Sequence, residues 1–225
     1  MNHVYRLVFN AALGAFVVVS EITKGHKKSR RSGKAAAVVA AVLSAGLAQA
    51  QLSATALPQG PQLSAGQASV STAGAVMNIQ QSSTKAALNW QSFNIGNQAT
   101  VNINQPGATS VLLNRVTGAD PSQILGSLNA NGQVFLVNPQ GVMFGQNSRV
   151  NVGALVASSM DISDADFMAG QWRFNRGNST ATVLNQGNIQ AHLGGYVALL
   201  APSVQNEGVV SAQRGSMRAR PVHSV

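Results

Sequence analysis

The sequence has 225 residues, no cysteine and a formal net charge of +9, and that charge is confined to its two ends. Residues 1–34 carry seven basic side chains against Glu21, and residues 211–225 add Arg214, Arg218 and Arg220. Between them Lys85, Arg115, Arg149, Arg173 and Arg176 balance Asp120, Asp161, Asp164, Asp166 and Glu207. A body with no basic surplus excludes a nucleic-acid footprint. Its amides, hydroxyls and glycines suit helix interiors poorly and stacked β-layers well, because like amides on successive layers form ladders.

The first fifty residues read as an address. Lys24-Gly-His-Lys-Lys-Ser-Arg-Arg-Ser-Gly-Lys34 is a positive region, Ala35 to Leu47 a short apolar run, and Ala48-Gln49-Ala50 a small-residue cleavage pattern before Gln51. The apolar run is too short for a membrane-spanning helix, which needs roughly twenty residues. The lack of cysteine suits a chain that crosses an oxidising periplasm unfolded, although a reduced cytosolic protein also accounts for it. Before the positive region comes a further stretch with Met1, Asn2, Tyr5, Arg6, Asn10, Val17, Val18, Val19, Ser20 and Glu21. These positions resemble the extended signal peptide region of very large Gram-negative exported proteins. Phe9 and Phe16 stand where that pattern usually has tryptophan, and His3 where it has lysine.

From Gln51 onward the chain reads as short strands joined by glycine and asparagine corners. Asp120-Pro-Ser-Gln123 has the chemistry of a helix start, with Asp120 as N-cap, Pro121 in the first turn and Gln123 in capping-box position, which places Leu125 and Leu128 on the core. Asn131-Gly132 is the one pair that reads clearly as a hairpin turn. Val134-Phe-Leu-Val-Asn138-Pro139-Gln140-Gly141-Val142 carries a β-turn: Pro139 presets φ, and Gly141 suits a positive φ. Asp161, Asp164 and Asp166 lack the spacing of a calcium loop; Ser163 with Asp166 reads better as a capping box. Asn185-Gln-Gly-Asn-Ile-Gln-Ala191 returns as Asn206-Glu-Gly-Val-Val-Ser-Ala212, and Asn147-Ser-Arg-Val-Asn-Val-Gly153 is a looser relative.

A period near twenty residues with short strands predicts an all-β fold, a right-handed parallel β-helix with short capping helices or a hairpin. The expected inward residues are Val134, Leu136, Val142, Phe144, Val150, Val152, Leu155, Ile189, Tyr196, Val197 and Leu199. Lyase-like enzymes share such a fold but bring clustered carboxylates or a lysine–arginine pair. Here His192 is the lone histidine of residues 51–210 and reads as an exposed coil residue. No catalytic residues, metal site or cofactor are expected, and the chain does not read as an enzyme.

Asn138, Pro139 and Gly141 match the Asn-Pro-Asn-Gly-Ile segment of the filamentous haemagglutinin family's secretion domain, with Gln140 and Val142 as departures. Trp90-Gln-Ser-Phe-Asn-Ile-Gly96, Leu113-Asn-Arg-Val-Thr-Gly118 and Ala157-Ser-Ser-Met-Asp-Ile-Ser163 also look like that family. The resemblance spans about residues 60–212. A second Asn-Pro-Asn-Leu motif is not visible, which points to the adhesin-like subgroup.

Membership would imply a two-partner secretion exoprotein. The general secretory translocon exports the chain, and a partner outer-membrane β-barrel transporter with periplasmic recognition modules receives this domain. The destination is the cell surface or the extracellular space. The alternative is an adhesin domain that binds host glycan or protein directly. Asn138 to Val142 then serve as a coil corner that folding requires, as a contact for the transporter, or as both.

Three segments follow: an extended signal peptide over 1–50, a secretion domain over 51–212, and a tail over 213–225. Laying the late repeat over that tail sets Val197 against Arg218, Leu199 against Arg220 and Leu200 against Pro221. Buried unpaired arginine is costly, and proline lacks the amide a ladder needs. The expectation is that the β-helix stops near Ala212 and the tail is disordered, its composition pointing to a shifted reading frame or a truncated copy of a longer gene.

Overall fold

The computed structural model describes residues 5–10, 15–20 and 52–212. The cleavage residues Ala48, Ala50 and Gln51 and the expected tail at 213–225 lie outside the described residues. In chain order the strands are β1 (Tyr5–Asn10), β2 (Ala15–Ser20), β3 (Gln62–Ala65), β4 (Ala68–Ala73), β5 (Val76–Gln81), β6 (Lys85–Trp90) and β7 (Thr100–Asn104). There follow β8 (Val111–Val116), β9 (Ser122–Ile124), β10 (Ser127–Ala130), β11 (Gln133–Val137), β12 (Val142–Phe144), β13 (Arg149–Val152) and β14 (Ala154–Ser158). After helix α1 (Asp164–Ala169) come β15 (Thr182–Asn185), β16 (Asn188–Ala191), β17 (Val197–Leu200), β18 (Ser203–Asn206) and β19 (Val209–Ala212).

β1 and β2 pair antiparallel with each other. The remaining strands make the three faces of a parallel β-helix. The first face runs β19-β16-β13-β10-β7-β5-β4, the second β17-β14-β11-β8-β6-β3, and the third β18-β15-β12-β9. All neighbours are parallel except β4–β5 and β3–β6, which are antiparallel and close the N-terminal end. Gly74, at φ 57°, turns the β4–β5 hairpin. Each coil is one rung, about 4.8 Å from the next, and its backbone groups are satisfied by the rungs above and below.

The first face shows the alternation of a sheet buried on one side. Met77, Ile79, Val101, Ile103, Leu128, Val150, Val152 and Ile189 point inward. Outward, Asn78, Asn102, Asn129 and Asn151 stack in one column. Their amides bond up the column, Asn102 donating to Asn78 at 3.2 Å and Asn129 to Asn102 at 3.0 Å. A buried polar pair strengthens the interior: Trp90, edge-on to Phe93 at 5.4 Å, donates its indole N–H to Asn114 Oδ1 at 3.1 Å. The late repeat stacks in register, Asn185 donating to Asn206 across its 21-residue period at 2.7 Å.

The second face departs from alternation. β8, β11 and β14 are buried on both sides. Inside lie Leu112, Val134, Leu136 and Leu155; outside, a second apolar cluster joins Val111, Leu113, Phe135, Val137 and Val156 to Ile162 and Phe167. The cover is the long connection 159–181, which carries α1 out of the coil and back.

Several expectations change. Residues 122–124 form strand β9, not a helix: Ser122 pairs with Val142, and its N–H donates to Gly141 O at 3.0 Å. A helix there would break this ladder, and the rung wins over the local capping chemistry of Asp120 and Pro121. Leu128 is in the core, whereas Leu125 is only half-buried. Asn131-Gly132 is a corner between β10 and β11, which lie on different faces, and not a hairpin. Tyr196 is 40 % exposed, and its hydroxyl donates to Gln133 Oε1 at 3.1 Å. Leu199, on the last rung, is half-buried. The other expected inward residues are buried.

Candidate functional site

The segment Asn138–Val142 forms the corner between β11 on the second face and β12 on the third. The Asn138 side chain is fully buried. Its Nδ2 donates to Asp120 O and to Ser122 Oγ, both at 3.0 Å, reaching the preceding coil. Its Oδ1 accepts from the N–H of Gln140 at 2.9 Å, and its backbone N–H donates to Ser158 O of the following coil at 2.9 Å. The turn closes as the Gly141 N–H donates to Asn138 O at 2.9 Å. One asparagine thereby shapes its own corner and fastens the coils on either side.

Gly141 has φ 110°, where side chains are strained, and a Cβ there would approach Thr182 O to 2.8 Å. Pro139 O accepts from Ser179 Oγ at 2.8 Å. Val142 is buried between Ser122 and Val183. Only Gln140 faces solvent fully, with Pro139 half-buried. The expected site residues therefore assemble as one structural unit, and their exposed surface is small.

A groove of about 610 Å³ lies beside this corner, between Pro139, Gln140, Asp161, Asn175, Arg176 and Ser179. Its far wall is the connection 159–181. The connection is anchored by Arg115, which donates to Asp161 at 2.9 Å, Asp164 at 2.6 Å, Asn89 at 3.1 Å and the carbonyl of Ile162. Burial of Arg115 on its own lowers its pKa. The hydrogen bonds and charges of Asp164 and Asp161 outweigh that effect and raise it above the ordinary value, so the guanidinium stays charged.

The aspartates expected not to bind metal are engaged elsewhere. Asp161 and Asp164 face Arg115, while Asp166 meets the hydroxyl of Ser163 at 3.0 Å. Ser163 is the N-cap of α1 and accepts from the Asp166 N–H, as the capping box predicts. His192 is exposed, its Nε2 2.9 Å from Asn151 Oδ1. Among the described residues no group of three or more His, Cys, Asp or Glu converges on a point where a metal ion would sit.

Reasoning from sequence misses the role of Arg115 and the cover over the second face. The available signal was the uninterrupted apolar run Val134-Phe-Leu-Val137, together with Phe167, Trp172 and Phe174 in a chain of few aromatics. Such a run marks a strand buried on both sides.

Comparisons with known proteins bear on these residues. The TPS secretion domain family matches residues 54–219, and the Extended Signal Peptide of Type V secretion system matches residues 1–50. The chain is similar to a heme/hemopexin-binding protein of Haemophilus influenzae, 39 % identical over 163 residues, which cover 69 % of this chain and 18 % of that protein. Another heme/hemopexin-binding protein of that species is 40 % identical over 111 residues, 49 % of this chain and 12 % of the relative. The chain thus spans less than a fifth of the length of these curated relatives. The crystal structure of the HMW1 secretion domain from Haemophilus influenzae superposes with a TM-score of 0.67 at 35 % identity, covering 69 % of this chain and 42 % of that one.

Proposed function

Because this chain belongs to the TPS (two-partner secretion) domain family, we propose that residues 51–212 are the part of a larger exoprotein that a partner outer-membrane β-barrel transporter receives through its periplasmic modules. The chain is exported through the periplasm to the cell surface or the extracellular space. Residues 1–50 take it to the general secretory translocon and are removed after Ala50. The domain then folds outside, rung upon rung, and performs no catalysis.

The observation that carries this reading is the corner at Asn138. Its buried side chain bonds to the preceding coil and its backbone to the following one. A rung in such a stack is favourable only with its neighbours in place, so rung-by-rung folding draws the chain outward without an external energy source. The test is secretion of the full chain with and without a co-expressed partner barrel. Release should require the barrel, and the released chain should begin at Gln51 by mass. Equal release without any barrel would overturn the proposal.

A further inference from the structure

In three coils the chain passes from the second face to the third through residues 117–121, 138–141 and 201–202; after β14 it takes residues 159–181 instead. We propose that residues 159–181 are a strap that opens and closes as a unit on an already stacked β-helix, and that Arg115 is the latch that holds it shut.

The strap and the coils have separate interiors. Ile162 and Phe167 pack on Leu113, Phe135 and Val137 on the outside of the second face, apart from the core enclosed by the coils. Phe135 is the seat for three strap aromatics, with ring centroids 5.8 Å from Phe167, 4.9 Å from Trp172 and 6.1 Å from Phe174. Beyond Ser159, whose N–H still donates to Leu200 O of β17 at 2.9 Å, the ladders do not run through the strap: β14 pairs with β11 and β17, and β12 pairs with β15, on either side of it. Coil stacking therefore survives strap release, as the short corner at 138–141 shows a rung can close without one.

The strap does not stand alone. Its helix has six residues, well short of the length at which isolated helices persist. Its charged fastening is Arg115, at the strap's N-terminal arm, where it holds Asp161, Asp164 and the Ile162 carbonyl at once. At the other side Lys85 donates to Met168 O at 2.8 Å and lies 5.6 Å from the centre of the Trp172 ring. When Arg115 lets go, a buried apolar strip on the second face meets water. The device does not depend on the route by which the chain is delivered.

The test uses the full chain with Arg115→Gln and, as a milder change, Asp164→Asn. Hydrogen bonds to charged groups contribute about 1.5–3 kcal/mol, so amide exchange across 162–174 should quicken on the order of 10- to 100-fold in Arg115→Gln. Exchange in 111–116 and 133–137 should stay as slow as in the parent. Of the two tryptophans, Trp90 is fully buried and Trp172 is 43 % exposed, so a quencher should gain access to Trp172 alone. If Arg115→Gln does not fold, Asp164→Asn is read by the same measures. Unchanged exchange in the strap, or equal loss of protection in strap and strands, would overturn the proposal.

Discussion

The corner at 138–141 and the strap at 159–181 occupy the same place in two successive coils and solve different problems. The first turns the chain in the least space, burying an asparagine that supplies the hydrogen bonds a tight turn cannot make within itself. The second gives up compactness to cover an apolar surface, and it is held mainly by aromatic packing and one arginine. A rung needs its corner polar and closed. A sheet face needs a cover only when its outward residues are apolar, as on the second face; the asparagine column of the first face needs none.

The comparison breaks most sharply in the double variant Asn138→Ala with Gly141→Val. Losing the Asn138 amide leaves Asp120 O, Ser122 Oγ and the Gln140 N–H without their partner, at about 1–3 kcal/mol for an unsatisfied buried group. Valine at the φ of Gly141 adds about 1–3 kcal/mol of strain, besides a clash with Thr182 O. Secretion should cease while synthesis continues, as measured by fractionating cells and medium. Surface levels equal to the parent would remove this corner from any account of export.

A smaller effect is expected from Phe135→Ala, which sharpens the contrast from the strap side. Truncating a buried phenylalanine costs about 3–5 kcal/mol. Here the loss falls on the seat that Phe167, Trp172 and Phe174 share. Urea denaturation should show an early transition reported by Trp172, ahead of the coils. A single transition with the whole loss in it would mean that strap and coils are one cooperative unit.

The sequence makes some of this legible and hides the rest for physical reasons. The coils are visible because Asn185–Ala191 and Asn206–Ala212 repeat at one spacing, and the corner is visible because Asn138, Pro139 and Gly141 have turn chemistry. Strand β9 is hidden because Asp120, Pro121 and Gln123 satisfy local helix-start rules, while the ladder with β12 that overrides them is made with residues some twenty positions away. The strap is hidden because it interrupts the period and its seat is assembled from separate coils. Arg115 shows least of all: its partners lie 46 and 49 residues further along, and nothing local marks them. Tyr196 follows the apolar pattern of its neighbours, yet its hydroxyl turns outward to Gln133.

The smallest effect, and the most discriminating, belongs to Gln140→Ala. Gln140 is the one residue of its corner that faces solvent fully, and its backbone N–H, not its side chain, makes the bond to Asn138. Alanine keeps that N–H, so stability should change by no more than about 0.5 kcal/mol, as at other exposed positions. A transporter that reads this corner in its folded form has only the Gln140 side chain and the edge of Pro139 to grip, because Asn138, Gly141 and Val142 are then buried. One that meets the chain before it folds has every side chain of the segment in reach. If the corner acts through folding alone, Gln140→Ala is secreted at the parental rate, while Asn138→Ala fails in proportion to its lost stability. We expect that outcome, because once the domain folds the polar groups of Asn138 hold its own turn and the neighbouring coils together, so that lost folding alone accounts for lost export. Pulse-labelled secretion beside urea midpoints for both variants decides it. A Gln140→Ala chain of parental stability that stays in the periplasm would show that the corner is read from outside.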